Sequence, residues 1–538
     1  MKGNIGFVLH AHLPFVRHPE YEWFLEEDWL YEAISETYLP FLRMCNRLAK
    51  EGVSFRFTLS ISPTLSAMLS DELLQKRYIR HLKKLIELGE KEIERTKDNP
   101  RLQSLARMYK DLFEQNLYDF TEVYRKKILW GFKTLEKEGY LEIITTAATH
   151  AFLPLYQQYP EVLEAQVQTA VIDHCRNFGK KPAGFWLPEF GFYPGIEKVL
   201  KHNNIDYFFT SAHGILFAGT KPPYGVYAPL ECEGGIYAFG RDYPTSDAVW
   251  SEDRGYPSDV DYREFYRDIG YDLPLSYIRP YIHEPEVRVC TGYKYYSITG
   301  ETEEKKLYNQ ERALKKVEEH ADNFIYNRRT QLQKFDGIID RTPYIIAPFD
   351  AELFGHWWFE GIYWLEEVVR RIDASDDISL ITPSEYVERY PSIQKGTPSF
   401  SSWGNKGYAE VWLSGKNDWI YRHIHKAIER MVELVDRYPN ETGLKLRVLD
   451  QAAREVMLAM ASDWPFIMNT GTTVPYAERR IKEHLYNFNY IYDHLCRNTV
   501  DTEWLTTIEK KHNLFPDIDY RVFKRIGSKL EDRVQLKT

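Results

Sequence analysis

The chain of 538 residues is too long for one ordinary hydrophobic core, so two or three domains are expected, although an α/β barrel with insertions can absorb more than half of it. A formal net charge of -10 gives no basic surface that would gather phosphates, which argues against nucleic acid as a partner. Aromatic residues make up 15% of the chain, with 39 tyrosines and 13 tryptophans, which favours a sugar ligand because the apolar face of a pyranose ring packs on aromatic rings.

Short β-rich segments alternate with helical ones over the first part of the chain. This order predicts parallel strands in a barrel or an open α/β sheet. In either architecture ligands lie at the carboxyl ends of the strands. The predicted strands are residues 5–12, 54–60, 141–150, 184–189, 206–211, 344–352 and 378–383.

Two other regions have a helical pattern. Residues 71–138 are charged, with apolar residues at helical spacing, and we interpret them as a helical insertion whose charges form a solvated face. After the Gly-, Ser- and Pro-rich stretch 396–408 the pattern is helical nearly to the end. The predicted domains are therefore a barrel at 1–395, interrupted by the insertion, and an all-helical C-terminal domain at 396–538.

The five cysteines are far apart, odd in number and in no CxxC pair, which predicts free thiols in a reducing compartment. The apolar run in "MKGNIGFVLHAHLPF" is interrupted before it reaches the length of a signal peptide, and no stretch of about 18 apolar residues occurs. We therefore expect a cytoplasmic protein with no membrane partner.

Polar residues gather at the carboxyl ends of four predicted strands. Within "HAHLPF", His10 and His12 are two residues apart on a strand and so share a face. Such a pair suits a metal site or hydrogen bonds to sugar hydroxyls, and a structural role for either histidine alone is equally expected. The six residues in this group are His10, His12, His150, Glu189, Asp350 and Glu352.

The acids of this group stand in apolar surroundings. Glu189, in "GFWLPEFGF", has Trp186, Phe190 and Phe192 around it, where a structural glutamate would be out of place. Low polarity raises the pKa of a carboxyl group, while hydrogen bonds or nearby cations keep a nucleophile ionised.

The stretch "PFDAELFGHWWFEG" contains both acids and paired tryptophans. Asp350 and Glu352 point to one side, so that one can act as an acid while the other orients it or binds a hydroxyl. Of Trp357 and Trp358, one is expected in the core and the other against a sugar. Two carboxylates from different strands, with aromatic rings around them, are what cleavage of a glycosidic bond requires.

Five motifs, "HAHLPF", "ATHAFLPLY", "GFWLPEFGF", "APFDAELFGHWWFEG" and "SSWG", occur in an order that resembles glycoside hydrolase family 57, in particular its 1,4-α-glucan branching enzyme subgroup. The similarity covers essentially the whole chain, including "SDWPF" at 462–466. The resemblance implies an α/β fold with a (β/α)7 barrel, a retaining mechanism, an α-1,4-glucan substrate, transfer of the cleaved chain to a 6-hydroxyl, and neither a cofactor nor a metal.

The resemblance also assigns roles to individual residues. It implies Glu189 as the nucleophile and Asp350 as the general acid/base. The implied substrate-binding residues are His10, His12, His150 and Asp463, with an aromatic platform of Trp403 and Trp412 and Trp357 as a further candidate. Glu352 is a substrate-binding candidate from its position beside Asp350.

The stretch 240–266 is long and rich in Pro, Gly, Asp and Tyr, which is typical of a mobile lid that excludes water. The resemblance implies an aromatic residue at its tip, for which Tyr243, Trp250 and Tyr256 are the candidates.

Other functions remain open. The motifs specify the glycosyl-enzyme step more firmly than its acceptor, so an α-amylase-like hydrolase or a 4-α-glucanotransferase of the same family are alternatives. A Zn²⁺ site formed by His10, His12, His150 and a carboxylate, or a glucan-binding protein without catalysis, are rivals of other classes.

Overall fold

The computed structural model describes residues 2–251, 254–283, 286–390 and 393–525. Its ten strands are β1 (Gly3–Ala11), β2 (Phe57–Ile61), β3 (Leu141–Thr146), β4 (Gly184–Trp186), β5 (Tyr207–Thr210), β6 (Leu230–Cys232), β7 (Ile236–Gly240), β8 (Tyr344–Asp350), β9 (Ile378–Leu380) and β10 (Gln394–Lys395).

The α-helices in the barrel part are α1 (Asp28–Glu32), α2 (Leu39–Lys50), α3 (Pro63–Leu69), α4 (Glu72–Arg95), α5 (Pro100–Tyr118), α6 (Ile128–Lys137), α7 (Pro160–Phe178), α8 (Ile196–His202), α9 (Ala212–Leu216), α10 (Tyr243–Trp250), α11 (Ile269–Asp272), α12 (Leu275–Ile278), α13 (Gln310–Gln333), α14 (Gly361–Asp373) and α15 (Pro383–Arg389). The C-terminal part contains α16 (Tyr421–Arg437), α17 (Gly443–Ala459), α18 (Asp463–Thr470), α19 (Val474–Arg497) and α20 (Thr502–Lys511).

The sheet is curled, and its central strands run in the order β7-β5-β4-β3-β2-β1-β8, each parallel to its neighbours. Strand β6 pairs antiparallel with β7, and β10 adds to β6 at that edge. The two ends of the curl approach each other where the Asp242 N–H, just after β7, donates to the Ile346 carbonyl of β8 at 3.0 Å. The predicted α/β fold with a C-terminal helical domain is confirmed.

One predicted strand has a different place from the one expected. Within 378–383, only Ile378–Leu380 forms a strand, and it pairs with the first residues of β1 rather than taking its own position between two full strands. The position next to β5 belongs to β7, a short strand at 236–240 that the sequence pattern did not single out.

Alternation along the strands separates two apolar layers. Val8, Ile144, Trp186 and Ile346 face inward and pack together inside the curled sheet. Phe7, on the other face of β1, packs edge-on against Trp364 of helix α14, with ring centroids 6.3 Å apart. Because side chains two residues apart on a strand share a face, His10 lies on the same inner face as Val8.

Polar side chains cap the two long helices of the segment between β2 and β3. These helices, α4 and α5, are capped by Asp71 and Asn99, the residues just before them, whose side chains accept the N–H groups of Leu74 and Leu102. The division at 395/396 and the insertion at 71–138 stay predictions, and residues 526–538 of the predicted C-terminal domain lie outside the described residues. In the described part of the chain, no helix combines the length and apolar character needed to cross a membrane.

Asp242 connects the closing edge of the sheet to helix α13. Its carboxylate is buried, accepts the N–H of Thr245 at 2.9 Å and so caps α10, and accepts the Gln331 side-chain amide at 2.8 Å. The buried Arg328 guanidinium lies 3.6 Å from the same carboxylate.

We expect Asp242→Ala to lower the free energy of unfolding by about 3–5 kcal/mol, because it removes a cap and leaves the buried charge of Arg328 without its partner. Urea unfolding followed by circular dichroism measures the change. The matched control is Asp247→Ala, which removes an exposed carboxylate from the same helix. A change below about 1 kcal/mol for Asp242→Ala, similar to that of the control, would contradict this account.

Candidate active site

His10 stands between two polar neighbours at the carboxyl end of β1. The parallel register pairs it with Ser60 of β2 on one side and with Asp350 of β8 on the other. Its ring is buried and stacks on Trp186, with centroids 4.4 Å apart and planes 3° from parallel. The register of three strands therefore brings residues from distant segments to one point.

Glu189 lies in a strained turn directly after β4. Glu189 and Phe190 both have left-handed backbone conformations, with φ of 60° and 52°. Such conformations cost roughly 1–3 kcal/mol for residues other than glycine and persist only where the surroundings hold them. The segment before Trp403 provides this support, because the Trp403 N–H donates to the Glu189 carbonyl at 2.8 Å and Phe192 forms a β-bridge with Ser401.

Two donors from outside the barrel strands hold the Glu189 carboxylate. The Trp403 indole N–H donates to Oε2 at 2.7 Å, and the Ser462 hydroxyl donates to Oε1 at 2.8 Å. Burial raises the pKa of the Glu189 carboxyl to about 7, although these two hydrogen bonds and His12 oppose the rise. The side chain keeps 13% of its surface exposed, so it is desolvated but open to a ligand.

Asp350 has different surroundings. Burial raises the pKa of its carboxyl well above the usual range, and the negative charges of Glu352 and Glu189 raise it further, against a smaller opposing effect of Arg241. These surroundings favour the protonated form of Asp350, while the two hydrogen bonds to Glu189 favour its ionised form. Two carboxyl groups with different affinities for a proton are the arrangement that an acid and a nucleophile require.

Four further polar residues from the sequence analysis lie in this site. His12 Nε2 is 3.2 Å from both carboxylate oxygens of Asp463, and its ring stacks on His150 with centroids 3.8 Å apart. Glu352 accepts hydrogen bonds from the His12 backbone N–H, at 3.3 Å, and from the Tyr38 hydroxyl. Glu352 thus holds the backbone after β1 as well as raising the pKa of Asp350.

The same histidines allow a test of the rival metal site. One potential ligand atom each from His12, His150 and Asp463 lies within 4.8 Å of the others. However, both ring nitrogens of His150 already have hydrogen-bond partners, His10 Nε2 at 2.9 Å and Ser462 Oγ at 2.9 Å. The donor set therefore fits a hydrogen-bonded polar site better than a Zn²⁺ site, which needs a free lone pair on each histidine.

The aromatic residues divide into surface and core. Trp403 lies against Trp186 at 5.4 Å and 73°, and the half-exposed ring of Trp250 lies edge-on to Trp403 at 6.5 Å. Trp357 is 53% exposed, while Trp358 is buried. The rings that contact Trp357 are those of Phe265 and His356, so its described ring contacts do not connect it to Trp403.

The structure does not support two of the proposed aromatic contacts. Trp412 is only 1% exposed and stacks on Phe152 at 4.9 Å, so it does not offer a face to a sugar in this structure; it belongs to a buried cluster against which Trp403 packs. Tyr256 is also buried, with its hydroxyl bonded to Asn323 at 2.8 Å, and is therefore not the tip of a loop.

The proposed lid is only partly a loop. Residues 243–250 form helix α10, which begins at the exposed Tyr243 and ends at Trp250. The Tyr243 hydroxyl lies 3.3 Å from His213. Residues 252 and 253 of the predicted lid lie outside the described residues.

Three functional candidates escaped the sequence analysis. Ser462 directly precedes Asp463 in "SDWPF", and Ser60 ends the predicted strand 54–60, so position alone was a signal for both. Arg241, which opposes the raised pKa of Asp350, follows β7, a strand that the pattern did not indicate.

Comparison with known families gives two matches. Residues 6–336 match the model described as glycosyl hydrolase family 57, and residues 423–523 match the model described as 1,4-alpha-glucan branching enzyme, C-terminal. Among curated proteins, the 1,4-alpha-glucan branching enzyme TK1436 of Thermococcus kodakarensis is 32% identical, with 96% of this chain and 78% of that protein covered.

Solved structures give two kinds of relative. The novel alpha-amylase AmyC from Thermotoga maritima matches with a TM-score of 0.92 and 46% identity, covering 98% of this chain and 99% of that one. The branching enzyme from Pyrococcus horikoshii matches with a TM-score of 0.87 and 32% identity, covering 98% and 97% of the two chains.

The two pKa shifts lead us to expect a bell-shaped dependence of kcat/KM on pH. If Glu189 acts ionised, activity rises as the pH increases through about 7, where its carboxyl loses the proton. If Asp350 acts protonated, activity falls at higher pH, as its own carboxyl ionises. Initial rates across a pH series measure both limbs. Full activity near pH 5, about two units below the rise, would contradict the raised pKa of Glu189.

Proposed function

Because this chain belongs to glycoside hydrolase family 57, we propose that it is a retaining α-glucan transglycosylase of the 1,4-α-glucan branching type. It cleaves an α-1,4 bond and transfers the released chain to the 6-hydroxyl of another glucan, which forms an α-1,6 branch. The observation that carries the proposal is the pair of unlike carboxyl groups, Glu189 held by two donors and Asp350 with a strongly raised pKa.

In the first step Glu189 is the nucleophile and Asp350 the acid. The Glu189 carboxylate bonds to the anomeric carbon as the glycosidic bond breaks, and Asp350 gives its proton to the departing oxygen. His12 and Asp463, which are hydrogen-bonded to each other beside Glu189, bind sugar hydroxyls at the cleavage point.

In the second step the roles reverse. The acceptor hydroxyl gives its proton to the Asp350 carboxylate and bonds to the anomeric carbon, and Glu189 leaves as a carboxylate. Water competes for this step, so transfer requires that the site exclude water and hold the acceptor in line. Helix α10, whose Trp250 lies against Trp403, is placed to cover the site and to contact the acceptor.

Hydrolysis is the second candidate, because the 46% identical relative is described as an alpha-amylase while the branching relatives are 31–32% identical. Both reactions share the glycosyl-enzyme step, and only the acceptor differs. Disproportionation by a 4-α-glucanotransferase shares that step as well. Binding of glucan without catalysis leaves the paired carboxyl groups unexplained.

A cytoplasmic location completes the proposal. The five cysteines, Cys45, Cys175, Cys232, Cys290 and Cys496, are all free thiols in the structure, which supports a reducing compartment. An α-1,4-glucan such as amylose or a glycogen-like chain is the proposed substrate.

Incubation with amylose, with iodine colour and reducing ends followed together, tests the reaction type. We expect the iodine colour to fall while reducing ends stay nearly constant, and a debranching enzyme specific for α-1,6 bonds then to release short chains. We expect exhaustive chelation to leave the activity unchanged, since none of the proposed steps uses a metal.

The other outcomes identify the alternatives. A parallel rise in reducing ends indicates a hydrolase, altered chain lengths without α-1,6 bonds indicate a 4-α-glucanotransferase, and binding without any product indicates a glucan-binding protein.

Within the same assay, Trp250→Ala should raise the ratio of reducing ends to branches severalfold, because the cover over Trp403 is lost. An unchanged ratio would contradict the role of α10.

Substitution of the two carboxyl groups tests their roles. We expect Glu189→Ala to lower kcat on the order of 10³-fold or more while glucan binding and folding persist, because only the covalent step is lost. Asp350→Ala should do the same with natural glucans but have a smaller effect on a glycoside whose activated leaving group needs no proton. Equal losses on both substrates would contradict the acid role of Asp350.

A further inference from the structure

A chain of hydrogen bonds extends from Glu189 back to strand β2. Ser462 Oγ lies 2.8 Å from Glu189 Oε1 and 2.9 Å from His150 Nδ1. His150 Nε2 lies 2.9 Å from His10 Nε2, and His10 Nδ1 lies 3.0 Å from Ser60 Oγ. The two ring planes differ by 24°, and their centroids lie 4.9 Å apart. All four side chains that link Glu189 to β2 in this way are buried: Ser462, His150, His10 and Ser60.

The Glu189 end sets the direction of this chain. An ionised carboxylate only accepts hydrogen bonds, so the single proton of the Ser462 hydroxyl is directed to Glu189. Toward His150 the same oxygen can then only accept, and His150 must carry its proton on Nδ1.

Because both histidines are neutral, the direction of one hydrogen bond determines the direction of the next. Burial lowers the pKa of both His10 and His150 well below the usual value, so each has one N–H and one lone pair. With its proton on Nδ1, His150 accepts at Nε2 from the Nε2–H of His10. His10 then accepts at Nδ1 from the Ser60 hydroxyl.

The Ser60 end favours the same direction. In the part of the chain that the structure describes, the hydroxyl of this buried serine has His10 as its hydrogen-bond partner. If the chain were reversed, the Ser60 O–H would be buried without an acceptor, and Glu189 would lose the Ser462 donor.

We propose that Ser462 and Ser60 are positioning residues for the nucleophile, connected through the fixed tautomers of His150 and His10. Ser462 stabilises the ionised carboxylate directly, and Ser60 keeps the chain oriented so that Ser462 donates to it. The proposal rests on the proposed role of Glu189 as the nucleophile. It holds whether the glycosyl group is then transferred to water or to a glucan hydroxyl.

Other charged groups also face Glu189 and bear on its titration. Asp463 raises its pKa and His12 lowers it, while Trp403 donates to the second oxygen. The charges of Glu352 and Arg241 act on Asp350, the second carboxyl group of the site. None of these groups changes in the serine variants, so a shift of the acidic limb in those variants reports on the chain itself.

The first experiment compares pH profiles of kcat/KM for bond cleavage. Ser462→Ala should lower kcat/KM at pH 7 roughly tenfold to a hundredfold and move the acidic limb upward by about one pH unit, because a hydrogen bond to an ionised group is lost. Ser60→Ala should move the limb in the same direction by a few tenths of a unit, with roughly a threefold to tenfold loss. The Ser60→Ala substitution leaves His10 Nδ1 without a partner in the native direction of the hydrogen bonds. The free-energy preference for that direction is therefore smaller than in the wild type.

The matched control lies on the same strand. Thr58 is two residues before Ser60 in β2, is buried, and its hydroxyl has no hydrogen-bond partner in the described structure. Thr58→Ala should therefore leave the acidic limb in place, and Ser60→Thr, which keeps a hydroxyl, should restore most of the wild-type profile. An acidic limb that stays in place in both Ser462→Ala and Ser60→Ala would overturn the proposal.

A second measurement does not depend on turnover. In the wild-type protein with ¹⁵N-labelled histidine, nitrogen shifts should show His10 protonated at Nε2 and His150 protonated at Nδ1 above pH 7. Ser60→Ala should add a population with the reversed tautomers. The opposite tautomers in the wild type would exclude the chain, whereas failure of branching with the expected tautomers would affect only the proposed function.

Discussion

The burial of one carboxylate charge is the constraint on which the site depends. Glu189 is removed from water, which raises its pKa to about 7, and it occupies a left-handed turn that its own sequence does not favour. Both costs are offset by groups from outside the barrel strands, the Trp403 segment and Ser462. The Glu189 carboxylate is therefore held in this position only when the C-terminal part of the chain packs on the barrel.

This dependence explains why the helical region is part of the active site. Ser462 and Asp463 stand at the beginning of helix α18, where one reaches Glu189 and the other His12. A short β-bridge between Ala151 and Ala461 fixes the same junction. A barrel without these helices would expose Glu189 to water, lower its pKa and remove the partner of His12.

The two carboxyl groups obtain different roles from their surroundings. Glu189 receives two hydrogen bonds that favour the ionised form, whereas Asp350 lies beside Glu352 and Glu189, whose charges favour its proton. In the proposed mechanism, the glycosyl-enzyme step follows from this difference. We propose that the acceptor depends on what covers Trp403, which is consistent with relatives on one fold being described both as branching enzymes and as an alpha-amylase.

Local patterns in the sequence determined the alternating strands, the shared face of His10 and His12, and the apolar surroundings of Glu189, because strand periodicity and the position of strand ends are local properties. They could not place β7, which is short, or recognise that Trp412 and Tyr256 are buried, because exposure depends on distant segments. The hydrogen-bonded chain to Glu189 was also decided by tertiary structure. Its serines belong to a barrel strand and to the segment before helix α18, and only the packing of one on the other gives each hydroxyl its partner.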